Sequence, residues 1–181
     1  MKEILVRDMM IPIANYVTVK PENHLPGVLR AIEDKRLAED GHAHRDAIVI
    51  DDQGRFVGKV TMIDVFRALD SGFRKIRSER TEKTLTDHFV QKAVKELNLW
   101  MDPVETVCQR GSKVTVAEAM HKPEDFEFIQ EDDSLEKALS YYVMGVHQPL
   151  IVKKGGEVTG VLRFGDLFEV VHKRLVACEL T

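Results

Sequence analysis

The chain has 181 residues and a mass of 20.6 kDa, enough for one domain or for two small halves that share a core. Hydrophobic residues make up 44% and charged residues 31%, which is typical of a folded globular chain and excludes wholesale disorder. The net charge of −4 offers no basic field to a nucleic acid. No apolar stretch approaches the roughly 20 residues of a membrane span. The N-terminus does not resemble a secretion signal, and two cysteines cannot form a disulfide framework. We therefore expect a cytoplasmic protein without membrane insertion.

The first part of the chain predicts a short helical turn at Val6–Met10, an extended segment at Tyr16–Val19 and then an amphipathic helix. The helix is indicated by apolar residues at i, i+3, i+4 and i+7, namely Leu25, Val28, Leu29 and Ile32. A buried strand at Ile48–Ile50, a turn closed by Gly54, and a second strand at Phe56–Val60 follow. A final amphipathic helix carries Met62, Val65, Phe66 and Leu69.

The central segment has no copy elsewhere in the chain. It begins with basic residues around Arg74–Arg80, which we expect to be a solvated helix end. The apolar spacing then predicts an amphipathic helix over Leu85–Met101, ended by Pro103.

The last part of the chain repeats the order of the first. Val116–Met120 follows Val6–Met10 by 110 positions, and Gly156–Gly160 follows Gly54–Gly58 by 102. The first copy therefore carries eight extra residues, which extend and then break its first helix near residues 34–44. This predicts an α+β fold with one repeat in residues 1–70, a helical insertion in 71–113 and a second repeat in 114–181.

Two βαββα copies, each with a glycine followed by an aspartate six positions later, resemble a tandem pair of CBS domains, called a Bateman module. The resemblance implies two repeats related by a pseudo-twofold axis, with clefts that hold adenosine compounds such as AMP, ADP, ATP, S-adenosylmethionine or NAD. It also implies a regulatory rather than a catalytic role, and assembly into a homodimer. No obligatory cofactor is implied beyond the regulatory nucleotide.

The resemblance implies the following nucleotide-binding positions, which lie before the buried strands, in the extended segment and at the start of each final helix: Thr18, His44, Arg45, Asp46, Thr61, Asp64, Val146, His147, Gln148, Arg163 and Asp166. Family comparison places Arg45 and His147 at equivalent positions, where basic residues meet phosphates. Phe128 and Arg163 stand where the first copy has Thr18 and Thr61, so we expect two unequal clefts.

Several of these residues have a second interpretation. Thr61 and Asp64 have the spacing of a helix capping box, which can coexist with ribose binding by the carboxylate. Arg163 is a poor helix cap, so it points toward a phosphate, blocks an altered site or lies on the surface. His42 and His44 could begin a zinc site on one strand face, but no third ligand has a telling spacing, so we expect no metal.

Two functions from different classes remain open. The first is a sensor whose adenosine nucleotide changes conformation or dimer geometry to control an effector protein that is not on this chain. The second is a ligand-free adaptor whose central helix recruits a partner. We expect no enzyme activity, since the sequence has no Ser-His-Asp signature, glycine-rich phosphate loop or pair of carboxylates on a helix.

Overall fold

The computed structural model describes residues 4–38, 45–69, 72, 87–96 and 103–178. The helices are α1 (Leu25–Ala38), α2 (Met62–Leu69), α3 (Asp87–Glu96), α4 (Val104–Gly111), α5 (Val116–Ala119), α6 (Leu135–Val143) and α7 (Phe164–Cys178). The strands are β1 (Ile11–Pro12), β2 (Thr18–Val19), β3 (Asp46–Ile50), β4 (Phe56–Thr61), β5 (Phe128–Gln130), β6 (Leu150–Lys154) and β7 (Glu157–Leu162). Among the described helices, none combines the length and the apolar character that crossing a membrane requires.

The chain divides into two compact units that interleave in sequence. The inner unit comprises Val19–His121, and the outer unit comprises Met1–Thr18 together with Lys122–Thr181. Each unit therefore contains the body of one repeat and the leading segment of the other. The predicted division at residues 1–70, 71–113 and 114–181 follows the repeats along the sequence and remains a prediction, separate from these units.

Equivalent backbone hydrogen bonds attach each leading segment to the body of the other repeat. In the outer unit the Leu135 N–H donates to the Ile4 carbonyl at 3.0 Å. In the inner unit the Leu25 N–H donates to the Val114 carbonyl, also at 3.0 Å. Since Ile4 and Val114 are 110 positions apart, as are Leu25 and Leu135, the exchange of leading segments is the same in both units.

The outer sheet has the strand order β1-β7-β6-β5, in which β5 is parallel to β6 and the other pairs are antiparallel. Alternate residues of β6 and β7 face helices α6 and α7, as period-2 side-chain alternation requires. They form a core with both helices and the leading segment, made of Val6, Ile129, Leu135, Ala138, Tyr142, Leu150, Val152, Leu162 and Leu167.

The inner sheet has the order β2-β3-β4, with β3 antiparallel to β4. Ala47, Ile48 and Val49 on β3 are fully buried, as is Val60 on β4. The hairpin between these strands turns at Gly54, which has a φ of 76°, a backbone conformation that favours glycine.

A glycine in the second strand of each hairpin allows the leading segment to approach. A Cβ on Gly58 would lie 2.9 Å from the His121 carbonyl oxygen, and one on Gly160 would lie 2.7 Å from that of Ile11. Both positions are therefore closed to larger residues, which explains why the sequence repeats this glycine in both copies.

The predicted α+β architecture with two βαββα repeats is confirmed. In the central segment, α3 lies within the predicted Leu85–Met101 helix, whose remaining residues lie outside the described ranges. The sequence analysis missed α4, which begins directly after Pro103. Its Arg110 Nη1 donates to the Leu69 carbonyl at 2.8 Å and so fastens α4 to the end of α2.

Candidate functional site

The inner unit brings its candidate residues to the place where β3 begins and β4 ends. Asp46 is the register partner of Thr61, the last residue of β4, and α2 begins at the next residue. Arg45 is exposed directly before β3. Thr18 is exposed on β2, the strand beside β3, and is the last residue of the first segment of the outer unit. His44 lies outside the described residues.

Thr61 and Asp64 form the capping box that their spacing predicts. The Thr61 N–H donates to Asp64 Oδ2 at 3.0 Å, and the Thr61 hydroxyl donates to the same oxygen at 2.6 Å. The Asp64 N–H completes the box by donating to the Thr61 hydroxyl at 3.4 Å. This arrangement holds the carboxylate at the start of α2 with only 4% of Asp64 exposed.

The second oxygen of Asp64 faces a different group. Arg67 Nη1 donates to Asp64 Oδ1 at 3.5 Å, which is long for a charge-assisted hydrogen bond. A carboxylate oxygen has two lone pairs, so Oδ1 can accept a further donor while Oδ2 maintains the cap. The helix cap and the acceptance of a hydroxyl pair are therefore compatible at this residue.

The equivalent position of the outer unit is built differently. Arg163 Nε donates to Asp166 Oδ2 at 2.7 Å, and its Nη2 donates to Asp166 Oδ1 at 2.6 Å. This bidentate pair engages both carboxylate oxygens, and its side chains are only 16% and 24% exposed. Arg163 is therefore a partner of Asp166 rather than a surface arginine, and it replaces the threonine cap of the inner unit.

A buried glutamate that the sequence analysis did not single out lies beside His147. Glu127 is 1% exposed, and its Oε2 is 3.9 Å from Nδ1 of His147. The first copy has Val17 at this position, 110 residues earlier, so a comparison of the copies could have found the difference. Its neighbour Phe128, the counterpart of Thr18, has the Lys153 ammonium 3.3 Å from its ring centroid.

The strand register corrects the predicted equivalence of Arg45 and His147. Ala47 pairs with Val60, whereas the outer counterpart of Val60, Leu162, pairs with Leu150. Ala47 is therefore equivalent to Leu150, 103 positions later, and Arg45 corresponds to Gln148 rather than His147. The cause is the hairpin between the two strands, which is one residue longer in the inner unit.

The structure thus gathers the described candidates at two strand ends, one in each unit. Arg45, Asp46, Thr61 and Asp64 lie at the inner end, with Thr18 on the adjacent strand. Val146, His147 and Gln148 precede β6 in the outer unit, where Arg163 and Asp166 follow β7. The inner end offers a hydroxyl and a carboxylate, and the outer end offers an internally paired guanidinium.

Three comparisons with known proteins bear on this architecture. The CBS domain family model matches residues 6–71 and 116–173. No curated protein matches the chain.

Solved structures share the fold at low sequence identity. A crystal structure of CBSX2 in complex with AMP is 19% identical, with a TM-score of 0.60, and the match covers 93% of this chain and 97% of that one. A second crystal structure of CBSX2, from Arabidopsis thaliana, is 18% identical with a TM-score of 0.56, covering 95% and 96%. The CBS domain of a membrane protein from Sphaerobacter thermophilus is 22% identical with a TM-score of 0.54, covering 92% and 87%. The two family matches together span more than half of the residues, so the chain belongs to the CBS domain family, as a tandem pair.

Proposed function

We propose that this protein is a regulatory module that binds an adenosine nucleotide at the strand ends of its two repeats. The observation that carries the proposal is the Asp64 carboxylate, which Thr61 holds at the start of α2 through Oδ2, while Oδ1 accepts from Arg67 at 3.5 Å. Two vicinal ribose hydroxyls need such an acceptor. The AMP complex of the structural relative CBSX2 supports the choice of an adenosine ligand.

Binding would act through a difference in affinity between two conformations or two dimer arrangements of the module, and so control an effector protein. The proposal includes no catalytic step, no nucleic-acid partner and no metal, and it keeps the predicted cytoplasmic location. Incubation with ATP followed by product analysis tests the absence of turnover.

The homodimer belongs to the same proposal. Met62 and Phe66 on α2 are 49% and 52% exposed, and Phe164 and Phe168 at the equivalent positions of α7 are 41% and 55% exposed. The same apolar pair is thus presented by both repeats. We propose that a second copy of the chain covers these helix faces.

A specific observation also keeps the adaptor function open. Val90 and Val94, one helical turn apart on α3, are 44% and 58% exposed. An apolar strip on a helix of the central segment is a feature that a partner protein could bind.

A thermal-shift panel separates the two functions. We expect AMP, ADP, ATP or S-adenosylmethionine at millimolar concentration to raise the melting temperature, because a ligand that binds only the folded state stabilises it. Guanosine nucleotides should have a smaller effect. The Asp64→Asn variant should show a smaller shift, because only the outer site still binds, while Asp52→Asn, on the exposed hairpin turn, should retain the full shift. An unchanged melting temperature with every adenosine and guanosine compound would favour the adaptor function.

A further inference from the structure

The hydroxyl of Tyr142 is inserted between the ends of β6 and β7. Tyr142 is 8% exposed, and its hydroxyl accepts a hydrogen bond from the Leu150 N–H at 3.1 Å. The same hydroxyl donates to the Leu162 carbonyl. Leu150 and Leu162 are register partners and the last pair of the ladder at this end. A side chain from α6 therefore joins the two strands at the last pair of their ladder.

The corresponding strands of the inner unit pair one residue further. Asp46 still pairs with Thr61 there, beyond the Ala47–Val60 pair that corresponds to Leu150–Leu162. In the outer unit the residue before Leu150 is Pro149, which has no N–H to contribute to a ladder. Ile32 stands 110 positions before Tyr142 and carries no hydroxyl.

The two backbone groups held by Tyr142 adjoin the candidate residues of the outer site. Leu162 is followed directly by Arg163, and Leu150 is separated from Gln148 only by the proline. The Tyr142 ring also contacts the Phe164 ring, with centroids 5.3 Å apart and planes inclined by 60°. One side chain thus fixes both chain segments that flank the outer strand end.

We propose that Tyr142 is a positioning residue that fixes the backbone beside the outer nucleotide site and makes this site differ from the inner one. Its hydroxyl holds the strand ends beside Gln148 and Arg163 in one arrangement, and its ring contacts the start of α7, where Asp166 lies. This inference rests on the proposed nucleotide binding, but it concerns only the outer unit.

The test uses full-length protein with the Asp64→Ala change, so that calorimetry with AMP reports the outer site. Adding Tyr142→Phe keeps the ring and removes the hydroxyl, so that the Leu150 N–H and the Leu162 carbonyl lose their shared partner. We expect the AMP affinity to fall about three- to tenfold, the size of effect of one lost buried hydrogen bond. The matched control Tyr141→Phe, on the neighbouring half-buried tyrosine, should leave the affinity unchanged.

A double-mutant cycle with Arg163→Ala distinguishes positioning from general destabilisation. If Tyr142 positions Arg163, the Tyr142→Phe loss should shrink to less than half in the Arg163→Ala background. A lower melting temperature with unchanged AMP affinity, or fully additive losses, would overturn the inference. If the Asp64→Ala protein binds no adenosine nucleotide, both the inference and the outer-site part of the proposed function fail. If it binds and the Tyr142→Phe change leaves the affinity unaltered, only the positioning role is refuted.

Amide exchange, measured on the wild type and on Tyr142→Phe, gives a second readout. The Leu150 N–H donates to the hydroxyl, so AMP bound beside it should slow its exchange, and Tyr142→Phe should change its protection without ligand. An unchanged Leu150 exchange rate in both comparisons would contradict the inference.

Discussion

Removal of the Arg163 guanidinium should separate phosphorylated from unphosphorylated ligands. Arg163 has five N–H donors, and the pair with Asp166 uses one each from Nε and Nη2. We expect a bound phosphate to accept a hydrogen bond from this guanidinium beside its pair with Asp166. A charge-assisted hydrogen bond contributes about 1.5–3 kcal/mol, a factor of about 10 to 150 in affinity. Because Asp166 already neutralises part of the charge, we expect the lower end of that range for AMP.

Adenosine should respond differently to the same change. It has no phosphate for Arg163 to contact, and Arg163→Ala releases both oxygens of Asp166 to accept ribose hydroxyls. We therefore expect adenosine affinity at the outer site to be unchanged or higher, while AMP affinity falls about tenfold.

The assay is calorimetry with adenosine and AMP on Asp64→Ala protein, which reports the outer site, alone and combined with Arg163→Ala or with the control Arg55→Ala. The control removes an arginine that pairs with Asp51 on the exposed hairpin and is 74% exposed. Equal losses for the two ligands, or no loss for AMP, would show that Arg163 serves only to hold Asp166 and would refute the predicted inequality of the sites.

Gly58→Ala should lower the free energy of unfolding by about 1–3 kcal/mol in denaturant titration, because the new Cβ would lie 2.9 Å from the His121 carbonyl oxygen. The control is Gly27→Ala in an exposed part of α1, where a Cβ would have no atom within 4 Å. This change should raise the free energy of unfolding by about 0.5–1 kcal/mol. A loss of stability of similar size in both variants would contradict the close approach at Gly58. Light scattering at tens of micromolar should give twice the 20.6 kDa chain mass, and a clean monomer would refute the homodimer. Burial alone would raise the pKa of Asp51. The carboxylate accepts hydrogen bonds from the Arg55 backbone and guanidinium and from a further backbone N–H, and together these hold its pKa below the ordinary 3.8. The resulting stability is present above pH 3.8 and is lost as the pH falls through the lower folded value, so Asp51→Asn should reduce the acid sensitivity measured by circular dichroism between about pH 5 and pH 2.

The repeated elements could be predicted from the sequence because their physical causes are local. Apolar spacing fixes α1 and α2, glycines fix the hairpin turn, and the spacing of Thr61 and Asp64 predicts the cap that the structure contains. These features depend on residues within a few positions of one another.

The exchange of leading segments could not be predicted in this way. Val6 and Val116 occupy equivalent positions in similar turns, so either segment satisfies the pattern of either repeat body. Only the tertiary structure shows that Val6 joins the outer core. The same limit applies to the residue equivalence at the strand starts, where a hairpin longer by one residue shifts Arg45 onto Gln148.

The outer site was the least predictable part. The sequence shows Arg163 and Asp166 three positions apart. The three interpretations of that arginine, a phosphate ligand, a residue that blocks an altered site or a surface residue, did not include the bidentate pair that forms. Glu127 and Tyr142 belong to no sequence motif, because their partners are distant in the sequence. Glu127 lies beside His147, and Tyr142 contacts the ends of two strands.

Nucleotide sensing is tested most directly by calorimetric titration with AMP. The proteins compared are the wild type and the double variant Asp64→Ala Asp166→Ala. The wild type should bind with a dissociation constant between about 1 μM and 1 mM, and the double variant should lose binding while still folding. No heat and no thermal shift with AMP, ADP, ATP or S-adenosylmethionine at millimolar concentration, or full binding by the double variant, would contradict the proposed function.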